Sequence, residues 1–170
     1  ERGFELPAQP EGESCAVRWL CFAALLREAN PPVRVAAGQS HSVFIDGEGR
    51  LSSCGTAPDY AQGLLGHGEG VTQLNTPTRL PSLGGERAVT VSAGFGHSLA
   101  LAADGAVWSW GGGAFGRLGH GDQQNQLLPK KIEAFAGQRV VAVSAGYSHS
   151  LPRAGEGGGG RWGSGWQGAK

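Results

Sequence analysis

The chain has 170 residues, with Lys plus Arg matching Asp plus Glu at fourteen each and a formal net charge of zero. That length suits one ordinary domain with its own core, and that balance supplies no general pull towards nucleic acid, a membrane surface or an acidic partner. Glycine is the outlier at 31 residues, well over twice its usual share of roughly 7 %, which means either disorder or many tight turns.

Residues 1–32 read as an extension unlike the rest. Val17, Leu20, Cys21, Ala24 and Leu25 recur at helical spacing, Ser14 is a candidate N-cap and Pro31-Pro32 a stop, so a short helix is predicted near 15–29. Trp19, Phe22 and Leu26 give it a second apolar face, which calls for burial, first against an upstream domain or as a cap on the region beyond residue 32, and alternatively against a partner. The run 15–26 falls short of the roughly 20 apolar residues of a membrane span and contains Arg18. It also lacks a basic flank and a small-residue cleavage site, so it is not a secretory signal. No transmembrane segment is predicted. A start at Glu1 and the absence of methionine read as a fragment of a longer protein. The cysteines, Cys15, Cys21 and Cys54, are odd in number and lack C-x-x-C spacing, so neither a disulfide framework nor a zinc site is signalled. A reducing compartment, cytoplasmic or nuclear, is the default expectation.

From residue 33 the chain repeats itself. VAAGQSHSVFIDGEGRL at 35–51 returns as VSAGFGHSLALAADGAV at 91–107 and again as VSAGYSHSL at 143–151. Gly38, Gly94 and Gly146 are spaced by 56 and 52 residues, and His41, His97 and His149 keep the same offsets. LLGHGEG at 64–70 returns as RLGHGDQ at 117–123, aligning Gly66 with Gly119 and His67 with His120. Pro77 and Pro129 then each precede the glycine of the next A-G-x-x-H-S by seventeen residues. The units run near 33–88, 89–140 and 141–170, the last truncated, with a short insertion between Gly55 and Gly63 in the first. In the second unit, strands are predicted over 89–93, 97–102 and 107–110, because β-branched, aromatic and alternating apolar residues are bounded there by glycine turns. Asp104-Gly105 is a hairpin signal. A period of this length with three or four strands per unit is that of a β-propeller blade.

The set A-G-x-x-H-S, D-G-x-V-W-x-W-G, G-x-L-G-H-G and L-x-P resembles the repeat of the regulator of chromosome condensation family, and the resemblance covers 33–170. It implies an all-β fold, a seven-bladed-type β-propeller of which this chain holds two to three blades. Such an incomplete stack leaves apolar faces and strand edges bare. The resemblance also implies function through partners. The founding member exchanges guanine nucleotide on the small GTPase Ran and binds chromatin, and other members set such propellers beside ubiquitin-ligase or membrane-trafficking modules. The expectation is a non-enzymatic protein-interaction module of a larger scaffold or regulatory protein, without a cofactor. An exchange factor for a Ran-type GTPase and the partner-recruiting propeller of a ubiquitin ligase are the alternatives. Chromatin or nucleic acid would need a basic face hidden in a neutral total.

Motifs that suggest chemistry dissolve into the repeat. Gly96-His97-Ser98-Leu99-Ala100 approaches a G-x-S-x-G nucleophile elbow, but the same slot recurs around Ser42 and Ser150, and no enzyme needs three elbows in one core. Equivalent histidines on separate blades suit a repeated structural bond, a ring nitrogen meeting backbone polar groups beside a turn, better than a metal. GGGAFG at 111–116 has phosphate-loop spacing but continues Arg117-Leu118 where Lys-Ser or Lys-Thr is needed. Trp108 and Trp110 alternate on one strand face and are predicted to pack between blades. A plant ultraviolet-B receptor of the family carries tryptophans in G-W-R-H; here those slots hold Gln39, Phe95 and Tyr147, against photoreception by that means. Loops that vary within the fixed frame are the candidate partner surfaces: Asp59 and Tyr60 in 59–62, Glu69 and Gln73 in 68–75, and Asp122, Gln123 and Asn125 in 121–126. Finally, thirteen residues after each histidine stand Cys54, Trp110 and Trp162, so the glycine-rich tail is a third repeat in register. With Pro152, Arg153, Gly159 and Gly160 in place of strand formers, its strands are expected to fray and Trp162 and Trp166 to be poorly buried.

Overall fold

The computed structural model describes residues 32–81, 83–155 and 162–163. The helix predicted near 15–29, and Trp166, lie outside them. Three antiparallel sheets follow in chain order. The first holds β1 (Pro32–Ala37), β2 (His41–Asp46), β3 (Leu51–Thr56) and β4 (Gln73–Arg79), each strand pairing with the next. The second repeats this with β5 (Ala88–Ala93), β6 (His97–Ala102), β7 (Val107–Gly111) and β8 (Gln126–Lys131). The third holds β9 (Val140–Ala145), β10 (His149–Ala154) and β11 (Trp162–Gly163). Each sheet is a blade, and β1, β5 and β9 touch one another in succession along the inner edge. The fold is all-β, a partial propeller.

The strands predicted in the second unit coincide with β5, β6 and β7. The Asp104-Gly105 turn forms as expected: Gly105 takes φ 90°, and the Asp104 carboxylate accepts the Ala106 N–H at 2.9 Å. β6 is buried along its whole length, whereas outer β4 is mostly exposed, because a middle strand is covered on both faces by the neighbouring blades. Its alternation shows this directly. Ala100 joins one core with Val43, Ile45, Leu51 and Trp110 of the first joint. Leu99 and Leu101 join a second core with Val107, Ile132 and Trp162. The hydrophobic interior is therefore not inside a blade but between blades, as the alternation of Trp108 and Trp110 predicts. Where no described blade comes next, Leu151 of β10 is 41 % exposed although its counterpart Leu99 is wholly buried.

Trp162 contradicts the expectation of poor burial. It is 3 % exposed, its indole N–H donates to the Arg117 carbonyl at 2.6 Å, and its ring lies 5.3 Å from that of Phe135. β10 likewise keeps six residues and pairs with β9 from Ser150 to Ala154, Pro152 facing Val143. Local glycine and proline content disfavoured a strand, but the second blade supplies a pocket for the indole, and tertiary packing overrides propensity.

The connectivity gives each blade two ends. Loops 38–40, 57–72, 94–96, 112–125 and 146–148 gather at one, here the loop end; turns 47–50 and 103–106, residues 80–81 and 83–87, and connection 132–139 gather at the other, the hairpin end. Among the described residues no helix is long and apolar enough to cross a membrane.

Candidate functional site

The repeated residues sit where one blade meets the next. The His41 Nε2 lies 2.7 Å from the Ser98 hydroxyl of the second blade, and the His97 Nε2 lies 2.8 Å from Ser150 of the third. The sequence suggested backbone groups beside the turn; these ring nitrogens instead reach across the joint. Beside each histidine a backbone bond crosses too, from Gln39 N–H to the Gly94 carbonyl at 3.3 Å and from Phe95 N–H to Gly146 at 3.1 Å. Gly94 is required there, since a Cβ would strike the Gly146 carbonyl. His149 falls on the third blade in the same slot, beside Gly146. The G-H-G glycines seat the next blade's tryptophan: the indole of Trp110 lies over Gly66 and that of Trp162 over Gly119.

A second set of histidines closes each loop onto its own blade. The Ser53 hydroxyl donates to the Leu65 carbonyl at 2.6 Å and meets the His67 Nε2 at 3.1 Å; Ser109 does the same with Leu118 and His120 at 2.8 and 2.9 Å. A hydroxyl has one proton. With that proton given to a carbonyl, each imidazole must be the donor through Nε2–H. Ser150 also donates to the Arg117 carbonyl at 2.8 Å, so His97 is the neutral Nε2–H tautomer as well. Burial pushes the His97 pKa down to about 3, helped by the positive charge of Arg117. Burial lowers those of His67 and His120. These histidines work as neutral hydrogen-bond donors.

At the loop end the structure brings together residues distant in sequence. Tyr60, in a short 3-10 turn over Asp59–Ala61, stacks on Phe95 with centroids 5.5 Å apart, and Phe95 lies 4.0 Å from Tyr147. The Tyr60 hydroxyl donates to Gln39 Oε1 at 2.8 Å. One loop-tip residue from each blade thus forms a row with Tyr60. Tyr60 is 49 % and Tyr147 61 % exposed, and Phe115 nearby is 55 % exposed with φ 63°. Beneath the row Arg117 is 3 % exposed. Its Nε donates to Gly112 at 2.6 Å and its Nη1 to Tyr147 at 3.2 Å, both backbone carbonyls, and burial lowers its pKa. Among the described residues no carboxylate lies within ion-pair distance of it.

The repeat model described as Regulator of chromosome condensation (RCC1) repeat matches residues 48–101 and 104–151, and a second of the same description matches 88–117. The chain belongs to the regulator of chromosome condensation repeat family. Over 114 residues, 67 % of its length, it is 41 % identical to the E3 ubiquitin-protein ligase HERC2 of Homo sapiens, of which that stretch is 2 %. It is 39 % identical over 125 residues to the ultraviolet-B receptor UVR8 of Arabidopsis thaliana, covering 71 % of this chain and 28 % of the receptor. Among solved structures, human WBSCR16 gives a TM-score of 0.71 at 29 % identity over 80 % of this chain and 34 % of that one. The chain therefore spans about a third or less of the length of these relatives.

The loop residues singled out from sequence divide. Tyr60 joins the aromatic row directly, and Asp59 is exposed beside it in the same turn. Asp122 and Asn125 serve first as loop braces, accepting the Gln124 and Gly113 N–H groups at 3.0 and 2.9 Å, and Gln123 between them is exposed. Glu69 is exposed, and Gln73 donates to Asn75 at 2.7 Å on the outer strand. Phe95, Tyr147, Phe115 and Arg117 were missed as surface or support. Their signal was present: the residue after A-G changes from Gln to Phe to Tyr while its surroundings stay fixed. Among the described residues no group of three or more His, Cys, Asp or Glu side chains is placed to hold a metal.

Proposed function

We propose that this chain is a non-enzymatic protein-docking module within a larger scaffold or regulatory protein, and that the loop end is its docking face. The observation that carries this reading is the row of Tyr60, Phe95 and Tyr147, drawn from three blades, held on a hydrogen-bonded frame and exposed at both its ends, Tyr60 and Tyr147. Rigid aromatic side chains supply large contact area at low entropic cost and dominate binding hot spots. The repeat frame fixes their spacing while leaving their identity free, which is the division of labour of a binding surface on a scaffold.

The resemblance to HERC2 favours a second, narrower reading, in which the module recruits a partner or substrate for a ubiquitin ligase. The matched stretch is a small part of that ligase, so the activity in its name does not come with the match. The exchange-factor alternative is tested by nucleotide release from Ran, where acceleration by this protein would support it.

The docking reading is tested by affinity purification of the full protein carrying either Tyr60→Ser with Tyr147→Ser at the loop end or Asp104→Ala with Lys131→Ala at the hairpin end. Both pairs are exposed and leave the histidine–serine and tryptophan–glycine contacts of the blade joints in place. Loss of co-purifying proteins with the loop-end pair alone is expected. Equal loss or equal retention with the two pairs contradicts the assignment.

A further inference from the structure

Charge is distributed unevenly between the two ends. Among the described residues, every lysine and arginine except Arg117 lies at mid-strand or nearer the hairpin end. Arg34 pairs opposite Ile45, Arg79 opposite Ser52 and Lys131 opposite Trp108, while Arg87 reaches the Glu48 and Gly47 carbonyls at 2.9 and 3.0 Å. The loop end carries Asp59, exposed beside Tyr60, and Asp122, whose backbone lies against Gly116 next to Arg117. Its own cation, Arg117, is buried and held by two carbonyls. The surface offered to a partner there consists of the exposed rings of Tyr60 and Tyr147, at the two ends of a stack whose middle ring, Phe95, is packed between them, and of carboxylates.

That combination selects for positive charge. The face of an aromatic ring is the negative end of its quadrupole and attracts guanidinium and ammonium groups by about 0.5–2 kcal/mol each, and flanking carboxylates add steering and register. An acidic segment would meet Asp59 and Asp122 as like charges, and an uncharged one would leave them unmatched. The centroid separations of 5.5 and 4.0 Å make a row as long as two or three residues of extended peptide, at roughly 3.3 Å per residue. We propose that the loop end docks an extended basic segment of a partner protein, with arginine or lysine side chains lying on the exposed rings of Tyr60 and Tyr147 at the two ends of the stack and neighbouring cations paired to Asp59 and Asp122. This rests on the docking reading above and adds the chemistry of the partner.

The test uses the full chain and three fluorescein-labelled peptides of equal length in which proline alternates with arginine, glutamine or glutamate, followed by fluorescence anisotropy at low and physiological salt. The arginine peptide is expected to bind at least about ten-fold more tightly than the glutamine peptide and to weaken as salt rises. Its affinity should fall several-fold in Tyr147→Ser and in Asp122→Asn, and hold in Arg79→Ser at the hairpin end. Asn preserves the acceptor that Asp122 offers to Gln124, and unchanged circular dichroism establishes that each variant folds. An arginine peptide that binds no better than the glutamine one, or that ignores both substitutions, overturns the inference. If the glutamine or glutamate peptide binds instead and Tyr147→Ser abolishes it, the docking face stands and the basic partner falls. If no peptide's binding depends on Tyr147, both fall.

Discussion

The joint between the first and second blades and the joint between the second and third are built on one plan and finished differently. Both use a histidine on the next blade's serine, a tryptophan over a glycine and a backbone bond beside the aromatic row. At the first joint the residue before L-G-H-G is Leu64, buried in an apolar cluster with Ala61 and Leu65. There the Trp110 N–H has no hydrogen-bond partner among the described residues, and Arg87 clamps the hairpin end. At the second joint that residue is Arg117. Its carbonyl takes both the Ser150 hydroxyl and the Trp162 N–H, and its side chain ties down Tyr147. No bond from Arg139 to the 103–106 turn replaces the Arg87 clamp among the described residues. A repeat therefore fixes geometry and leaves energetics negotiable, apolar with a clamp at one joint and polar at the other.

The comparison can be broken most severely at the shared tryptophans. Trp110→Ala is expected to cost roughly 3–5 kcal/mol, the range for emptying a packed aromatic site, as read by urea unfolding. Trp162→Ala should cost as much, because it also removes the indole hydrogen bond to the Arg117 carbonyl; a loss below about 1 kcal/mol at position 162 would restore the frayed-tail expectation.

Acid tests the second joint next. His97 is neutral in the fold with its pKa pushed down to about 3 against an unfolded value near 6.5. Below about pH 6.5 the unfolded chain binds the proton and the fold does not, so stability is complete above that pH. It is lost as pH falls towards 3, by at most about 1.4 kcal/mol per pH unit for this group. His67 and His120 shift in the same direction. A melting temperature flat from pH 8 to 7 and falling below 6.5 is expected, with the slope reduced in His97→Gln. At the hairpin end, Asp46 is pushed up by burial, but bonds from the Arg50 backbone and guanidinium and from the Glu48 N–H outweigh this and hold its carboxyl below the usual value.

Smaller differences sharpen the contrast. Ser150 bridges His97 and the Arg117 carbonyl, whereas Ser98 meets His41, so Ser150→Ala should cost more than Ser98→Ala, both within about 1–3 kcal/mol. Arg87→Ala, an exposed side chain on two carbonyls, should cost about 1 kcal/mol or less. A larger loss there would mean that the first joint depends on its clamp more than on its core.

Much of this frame was legible in the sequence. Gly94 and His97 recur because a carbonyl passes where a Cβ would sit and because a serine waits at a fixed height on the next blade, so the pattern reports the joints directly. Strand limits followed from glycine turns and alternation. Trp162 was misjudged because its burial depends on Gly119 and Arg117, more than forty positions earlier, while its neighbours argued locally for disorder. The aromatic row was hidden for a related reason. Tyr60 lies in the insertion peculiar to the first unit, and only the blade-to-blade stagger brings it onto Phe95. Arg117 looked like a failed phosphate-loop position and is a brace for the surface above it.

The central claim is that partners meet the loop end. Its most direct test is site-specific photo-crosslinking of the full protein in cells, with benzoyl-phenylalanine placed at position 147 or at position 104. Discrete protein adducts from 147 and background from 104 are predicted. Adducts from 104 with none from 147 would place the contact at the hairpin end and contradict the account.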